Sequence, residues 1–214
     1  MKLMNLDIRR FAHDTFRIAG TKVIYIDPFQ VKDRDRAEIL LLTHDHFDHC
    51  SPEDCEKVLT PQTTIVASVR CKDGLKNIKA KTIHLVEPGQ KTTVDEVQIE
   101  AVAAYNINKF REPGQPFHPQ GGGGCGFVIQ IDGTKVYHAG DTDCIPEMSS
   151  IRCDIALLPV SGTYVMTAEE AADAARAVNP KTAIPMHYGA IVGTQADAEK
   201  FKSLVKNCQV EILG

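Results

Sequence analysis

The chain has 214 residues, of which 43% are hydrophobic and 24% are charged, and these fractions are ordinary for a folded globular protein. They exclude a disordered or fibrous chain. The formal net charge of -4 provides no overall cationic field that would attract nucleic acid, so we expect no nucleic-acid partner.

The first half of the chain predicts a series of short strands. The segments "DTFRIAG" and "TKVIYIDPF" predict two strands around a turn at Gly20, and "AEILLLT" predicts a buried strand. Ser51, followed by Pro52 and two acids, indicates the start of a helix over "SPEDCEKVL". Further strands are predicted by "TIVAS", "KTIHLV" and "VQIEAVAAY".

The second half begins after a polar, glycine-rich stretch, "NINKFREPGQPFHPQGGGGCG", which predicts a flexible loop. Asp132-Gly133 predicts a hairpin between two strands, and "DIALLPV" predicts another buried strand. Thr167 and Glu170 have the spacing of a capping box ahead of an alanine-rich helix. The chain is completed by "TAIPMHYG", the helical "ADAEKFKSLVKN" and a final "CQVEIL".

Two features of the sequence bear on where the protein works. No segment approaches the roughly 20 apolar residues of a membrane-spanning helix, and the N-terminus "MKLMNLDIRRFAHD" is too polar for a signal peptide. The seven cysteines include no C-x-x-C pair, which favours reduced thiols over a disulfide framework. We therefore expect one cytoplasmic domain over residues 1–214, without a membrane partner.

Three polar motifs follow predicted strands, namely "THDHFDH", "HAGDT" and "PMHYG". Ligand sites in α/β folds collect where loops leave strand ends, and histidine and aspartate are ligands of zinc and related divalent ions. On a strand, His44 and His46 would point to one face, while Asp48 and His49 in the following turn would reach a second point nearby. One loop can therefore supply two metal centres.

The ordinary alternative is that these are satisfied polar residues, as a lone histidine after a strand most often is. The full H-x-H-x-D-H pattern, however, should arise by chance in only on the order of one in a thousand chains of this composition. Metal binding is therefore the favoured interpretation.

The motif "THDHFDH" resembles the metal-binding signature of the metallo-β-lactamase superfamily, and "GDT" followed later by "MHYG" resembles its later motifs. The resemblance covers nearly the whole chain. The segments "FAHDTFRIAGTKVIYIDPF" and "YHAGDTD" look most similar to a single-domain branch of metal-dependent hydrolases that includes ascorbate-6-phosphate lactonase-like proteins. This resemblance implies an α/β fold, a four-layer αββα sandwich with the site at one edge of the two sheets.

The resemblance also implies a site for two divalent metal ions, with zinc the leading candidate and manganese, iron or nickel as alternatives. The matching positions are His44 and His46 for the first ion, Asp48, His49 and His187 for the second, and Asp141 as the carboxylate that bridges both.

The third histidine of the first centre is less clearly assigned. Asn106 stands where relatives often place it, and His118 is the next candidate along the chain. We favour His118, because asparagine is a poor zinc ligand, and keep Asn106 as the alternative. His13 and His138 also match positions near the site, where each could orient a ligand, touch substrate or be an ordinary strand residue.

Two adjacent ions imply hydrolysis, because each lowers the pKa of a bound water and polarises a scissile carbonyl or phosphoryl oxygen. The resemblance thus implies a dinuclear hydrolase that uses a metal-bound hydroxide on a small ester, lactone or phosphodiester. Asp48 is the candidate catalytic residue, since it can pass a proton to the leaving group. Lys109 and Arg111 are available to meet an anionic substrate. A non-catalytic metal-binding sensor or regulator and a nuclease of the same superfamily remain alternatives.

Overall fold

The computed structural model describes residues 1–32 and 35–214 of the chain. Two mixed, seven-stranded sheets form its centre. The first sheet follows the chain order β1 (Lys2–Leu3), β2 (Leu6–Arg10), β3 (Phe16–Ala19), β4 (Val23–Ile26), β5 (Ile39–Leu42), β6 (Thr64–Ser68) and β7 (Thr82–Val86). β1 to β4 pair antiparallel, and β4 to β7 pair parallel.

The second sheet comes from later in the chain. Its strands in spatial order are β16 (Gln209–Val210), β15 (Thr182–Met186), β14 (Ile155–Pro159), β13 (Thr134–His138), β12 (Cys125–Ile131), β9 (Val97–Ala103) and β8 (Lys91–Val94). β8, β9, β12 and β13 pair antiparallel, and β13 to β16 pair parallel. The predicted Asp132-Gly133 turn joins β12 to β13.

A third, two-stranded sheet lies in the glycine-rich stretch that the sequence predicts to be a loop. It consists of β10 (Phe110–Glu112) and β11 (Gln115–Pro116), which pair antiparallel. Pro113 and Gly114 lie between the two strands, and Gly114 has a φ of 78°. A Pro-Gly pair favours a turn, because proline fixes its own φ and glycine tolerates a positive one. The prediction of a plain loop is wrong for this hairpin.

Three α-helices accompany the sheets in the described part of the chain, and they are α1 (Pro52–Val58), α2 (Ala168–Val178) and α3 (Gln195–Leu204). α1 begins as predicted, because the Ser51 side chain accepts a hydrogen bond from the Asp54 N–H. α2 begins with the predicted capping box of Thr167 and Glu170. Short 3-10 helices lie at Val69–Lys72 and Pro146–Ser150. No helix within the described residues is long and apolar enough to cross a membrane.

The residues of β5 show why the fold has four layers. Ile39 and Leu41 join a core that lies between the two sheets and also contains residues of α2. Leu40 and Leu42 point the other way, into a second core with residues of α1. α2 and α3 contact β14 and β15 of the second sheet. A strand covered on both faces is an unbroken apolar run, and the layer order helix, sheet, sheet, helix confirms the predicted αββα sandwich.

The functional loops lie at one edge of this sandwich. β5, β13 and β15 belong to parallel pairs, and their carboxyl ends lead into the loops that carry the three polar motifs. The Cys125 N–H donates to the Thr43 carbonyl (3.0 Å), which links the second sheet to the first at this edge. The His187 N–H donates to the His13 carbonyl (3.2 Å), which brings the turn between β2 and β3 to the same place.

Candidate metal centre

The loop at residues 43–50 supplies four of the predicted site residues. β5 ends at Leu42, so His44 and His46 lie in the loop, and the expectation that strand geometry aims them at one face is wrong. The loop folds back on itself instead, because the His49 N–H donates to the His46 carbonyl (3.0 Å). The rings of His44 and His46 meet edge to face, with their centroids 4.5 Å apart.

A first cluster joins His44, His46, His118 and Asp141, and one ligand atom from each lies within 4.8 Å of the others. Nε2 of His118 is 3.4 Å from Asp141 Oδ2, and Nε2 of His44 is 3.9 Å from the same oxygen. The structure therefore brings together the three histidines predicted for the first ion, with His118 as the third, beside the predicted bridging carboxylate.

Asn106, the alternative to His118, lies behind the cluster. Its Oδ1 accepts a hydrogen bond from the His118 N–H (2.8 Å) and lies 2.9 Å from His118 Nδ1. Its Nδ2 donates to Asp143 Oδ1 (3.2 Å) and to the Tyr164 carbonyl (2.9 Å). This network fixes the amide orientation, so the ring of His118 donates through Nδ1 and presents the Nε2 lone pair to the cluster. Asn106 therefore positions His118, the other candidate for the third ligand of the first ion.

A second cluster shares Asp141 with the first. It joins Asp14, His49, Asp141 and His187 within 4.8 Å, and His13 forms an overlapping group with the same two histidines. Nε2 of His49 is 3.4 Å from Asp141 Oδ1, and Nε2 of His187 is 3.3 Å from Asp141 Oδ2. Asp141 thus lies between the two clusters. Sequence reasoning missed Asp14, because a single acid in a hairpin turn belongs to no ligand motif.

Asp48 borders the second cluster. Its Oδ2 is 3.2 Å from His13 Nε2 and 3.7 Å from His49 Nε2. Burial raises the pKa of Asp48, but the nearby imidazole of His13 and the charge of His49 outweigh burial and lower the pKa below its usual value. Asp48 is therefore a carboxylate at neutral pH.

His138, by contrast, contributes no side-chain atom to either cluster. Its Nε2 lies 2.9 Å from the Asp14 carbonyl, and its Nδ1 accepts a hydrogen bond from the Gly140 N–H (3.2 Å). With both nitrogens occupied, His138 is a buried link that holds the backbone of Asp14 near the loop that carries Asp141.

Side-chain hydrogen bonds orient four of the clustered histidines from outside. Each of these bonds occupies Nδ1, with Thr43 Oγ1 at 3.0 Å from His44, Asp27 Oδ2 at 2.8 Å from His49, Asn106 Oδ1 at 2.9 Å from His118, and Ser161 Oγ at 2.9 Å from His187. Thr43 Oγ1 in turn donates to Asp27 Oδ2 (2.5 Å), so the carboxylate of Asp27 supports histidines of both clusters. This role could not be read from the sequence, where Asp27 is only the residue at the end of a predicted strand.

The inward-facing atoms test whether these residues suit a metal. Among the described residues, Nε2 of His44, His49 and His118 and Oδ1 of Asp141 are buried without a hydrogen-bond partner. A buried polar atom left unpaired costs about 1–3 kcal/mol, so atoms that converge in this way require a common partner. Imidazoles anchored through Nδ1, together with a carboxylate, form the donor set of zinc and related ions. The residues of each cluster therefore fit a divalent cation.

Electrostatics differ between the two clusters. In the first, burial lowers the pKa of His44 well below its usual value and lowers the pKa of His118 to about 4. Both side chains are neutral near pH 7, as metal ligation requires.

In the second cluster, carboxylates reverse the effect of burial. Burial lowers the pKa of His49, but the charge of Asp141 and the hydrogen bond to Asp27 outweigh it and raise the pKa well above its usual value. The pKa of His187 is also raised, because Asp141 and Asp14 outweigh burial. Burial raises the pKa of Asp141, but His187 and His49 hold it well below the usual range. The second cluster therefore holds more carboxylates than the first, and they favour the protonated forms of its histidines.

A cavity of about 470 Å³ opens over both clusters. Its lining residues are His46, Phe47, Asp48, Arg111, Phe117, His118, Asp141, Tyr164, His187 and Ile191. Of the two cations suggested for substrate binding, Arg111 lies on this wall, with its guanidinium 5.4 Å from the centre of the Phe117 ring. Lys109 is engaged instead, because its Nζ pairs with Glu170 (2.8 Å). The suggestion that Lys109 is available for substrate is wrong.

Comparisons with known proteins give the family. Residues 7–187 match the family model described as the Beta-lactamase superfamily domain, and the chain belongs to that superfamily. A UPF0173 metal-dependent hydrolase of Thermoplasma acidophilum is 35% identical over 215 residues, covering 94% of this chain and 91% of the relative. Another of the same name from Methanoculleus marisnigri is 36% identical over 200 residues, covering 91% and 86%.

Solved structures share the fold. A crystal structure of a protein assigned as a metal-dependent hydrolase from Parabacteroides distasonis has a TM-score of 0.82 at 33% identity, covering 97% of this chain and 92% of that one. A protein assigned to the metallo-β-lactamase superfamily from Thermotoga maritima has a TM-score of 0.65 at 21% identity, covering 97% and 98%, which shows the fold alone. The predicted superfamily is confirmed, and the names of the relatives support a metal-dependent hydrolase. The closer resemblance to ascorbate-6-phosphate lactonase-like proteins stays a prediction.

Proposed function

We propose that the protein is a dinuclear metal-dependent hydrolase of a small ester, lactone or phosphodiester that carries an anionic group beside an apolar body. One observation carries this proposal, namely that two clusters of buried, unpartnered ligand atoms share Asp141 beneath one open cavity. His44, His46 and His118 would hold the first ion. His49, His187 and Asp48 would hold the second, and zinc is the leading candidate for both.

Two divalent ions in these positions would supply hydroxide near neutral pH and would polarise the oxygen of the scissile group. Asp48 is positioned to accept a proton from the attacking water, since its ionised Oδ2 lies beside the second cluster and the side chain lines the cavity. After taking this proton, Asp48 can donate it to the leaving-group oxygen. His13, 3.2 Å from the same oxygen, keeps the carboxylate in place.

The cavity walls support the choice of substrate. Phe47, Tyr164 and Ile191 expose 68%, 40% and 41% of their surface, and all three line the cavity, so they offer an apolar contact face. Arg111 adds a cation on the same wall, where its guanidinium lies 5.4 Å from the centre of the Phe117 ring. An anionic group on the substrate would form an ion pair with the Arg111 guanidinium.

The test combines metal analysis with a substrate panel. Protein purified without chelator is assayed for metal content and for hydrolysis of lactone, phosphodiester, thioester and β-lactam substrates, before and after metal removal. We expect two ions per chain and a turnover that is lost on chelation and restored by metal. Two ions without metal-restored turnover of any ester, lactone or phosphodiester would refute the catalytic proposal and favour a metal-binding sensor.

A further inference from the structure

We propose that Asp14 is a further ligand of the second metal ion, an inference that rests on the proposed dinuclear site. Asp14 lies outside all three motifs that predicted the ligands. It occupies the turn between β2 and β3, which is closed by a hydrogen bond from the Thr15 N–H to the Ala12 carbonyl (2.8 Å). The turn buries the side chains of His13 and Asp14 completely, and Asp14 joins His49, Asp141 and His187 within 4.8 Å.

The surroundings of Asp14 differ from those of other buried acids in the described chain. Asp27 accepts hydrogen bonds from the N–H and the hydroxyl of Thr43. Asp143 accepts hydrogen bonds from the N–H groups of Ile107 (2.7 Å) and Asn108 (2.9 Å). By contrast, neither side-chain oxygen of Asp14 has a hydrogen-bond partner among the described residues.

A buried carboxylate without donors requires a cation or a proton of its own. A cation is the better fit, because one ligand atom of Asp14 lies within 4.8 Å of ligand atoms from His49, Asp141 and His187. Among the described residues, Nε2 of His49 and Oδ1 of Asp141 also have no hydrogen-bond partner. His138 supports this placement by holding the Asp14 carbonyl at 2.9 Å. The competing arrangement is a protonated Asp14 that donates to Asp141, since burial raises the pKa of Asp14 to about 8.

Ligation by Asp14 would give the two centres different donor sets. The first would have three imidazoles and the shared carboxylate of Asp141, whereas the second would have two imidazoles and the carboxylates of Asp14, Asp48 and Asp141. Oxygen-rich sites favour harder ions, so the second centre should accept Mn²⁺ more readily than the first does.

The experiment compares Asp14→Asn with the wild type and with Asp7→Asn as a matched control. Asp7 belongs to β2, and its carboxylate binds Arg17 (3.2 Å) at the surface. Metal-free protein is titrated with Zn²⁺ and with Mn²⁺ in competition with a chromophoric chelator. We expect two ions in the wild type and the control. In Asp14→Asn the second ion should bind more than about 100-fold more weakly, since loss of an outer-sphere partner alone costs 10–100-fold.

Thermal unfolding of the same proteins separates ligation from protonation. In chelator, the two proteins give the difference in unfolding temperature that the substitution itself causes without metal. Excess metal should raise the unfolding temperature of the wild type by more than that of Asp14→Asn, because the wild type gains stability from its tighter second ion. A protonated Asp14 would predict the same change in unfolding temperature with and without metal.

The possible failures are distinguishable. Wild-type protein that binds fewer than two ions would overturn the proposed dinuclear site, and with it the role of Asp14. Two ions of unchanged affinity in Asp14→Asn would overturn only the role of Asp14. Asp14→Ala serves as a second variant, because it removes both oxygens and makes no new hydrogen bond, so its second ion should be weakened to the same extent.

Discussion

Replacing Asp27 by asparagine should weaken binding of the second metal ion without altering a metal ligand. Asp27 Oδ2 accepts a hydrogen bond from His49 Nδ1 (2.8 Å), while Oδ1 accepts one from the Thr43 N–H (2.8 Å). In Asp27→Asn the remaining oxygen should keep the bond to the Thr43 N–H. The new NH₂ group would then face His49 Nδ1 and turn it into an acceptor. His49 would carry its proton on Nε2, the atom that faces the ion.

The size of the effect follows from the position of Asp27 in the network. Loss of an outer-sphere partner typically weakens metal binding 10–100-fold, which corresponds to about 1.4–2.7 kcal/mol. We expect the upper part of this range for the second ion, because the tautomer of His49 becomes wrong for ligation. The first ion should be affected less, since Asp27 reaches His44 only through the hydroxyl of Thr43.

The measurement is a chelator competition that resolves the two ions. The matched control is Asp54→Asn, because Asp54 is also a buried acid that accepts backbone hydrogen bonds, from Gln30 (2.9 Å) and Val31 (3.1 Å), away from the metal clusters. Asp54→Asn should lower the free energy of unfolding but leave both affinities unchanged. If Asp27→Asn bound the second ion as tightly as the wild type does, the hydrogen bond at Nδ1 would not set the tautomer of His49, and the reasoning would be refuted.

Three further predictions concern catalysis, substrate binding and pH. Asp48→Ala should lower kcat by about 10²–10⁴-fold while the first ion stays bound, and an active variant with both ions would contradict the proton-transfer role. Arg111→Ala should raise KM for anionic substrates about two- to fivefold at unchanged kcat, as expected for an exposed charge pair, whereas an equal change for neutral analogues would argue against charge recognition. On acidification the second ion should dissociate before the first, because the raised pKa values of His49 and His187 let protons compete there at higher pH. Equilibrium dialysis at a series of pH values checks this order, and earlier loss of the first ion would contradict it.

Sequence reasoning succeeded where the signal is local. The apolar run of β5, the Ser51 cap and the capping box of Thr167 and Glu170 each depend on residues a few positions apart, and the structure has them as predicted. The loop at residues 43–50 is local in the same sense, because a single turn brings its histidines together. Even there, the geometry came from a turn and not from the strand alternation on which the prediction relied.

Sequence reasoning failed where the partner is distant in the chain. Lys109 appeared available for substrate, but it pairs with Glu170, which lies 61 residues further on. Asn106 looked like a rival of His118, and only the hydrogen bonds between the two show that one positions the other. Asp14 carried no recognisable pattern, since its neighbours His49 and His187 come from loops that meet only in the folded chain.

The balance of charge at the centre explains why a cation is needed on the cavity wall. The carboxylates that contact the clustered histidines are Asp14, Asp27, Asp48 and Asp141. If all four are ionised, as the proposed role of Asp14 requires, their charges cancel those of two divalent ions. With both ions bound, the centre would then have almost no net charge. It would therefore attract an anionic substrate only weakly, because closely spaced opposite charges largely cancel at a distance. Arg111 therefore becomes the main source of attraction for an anion. At metal concentrations that keep both ions bound, Asp14→Asn removes one negative charge and should make substrate binding depend less on Arg111.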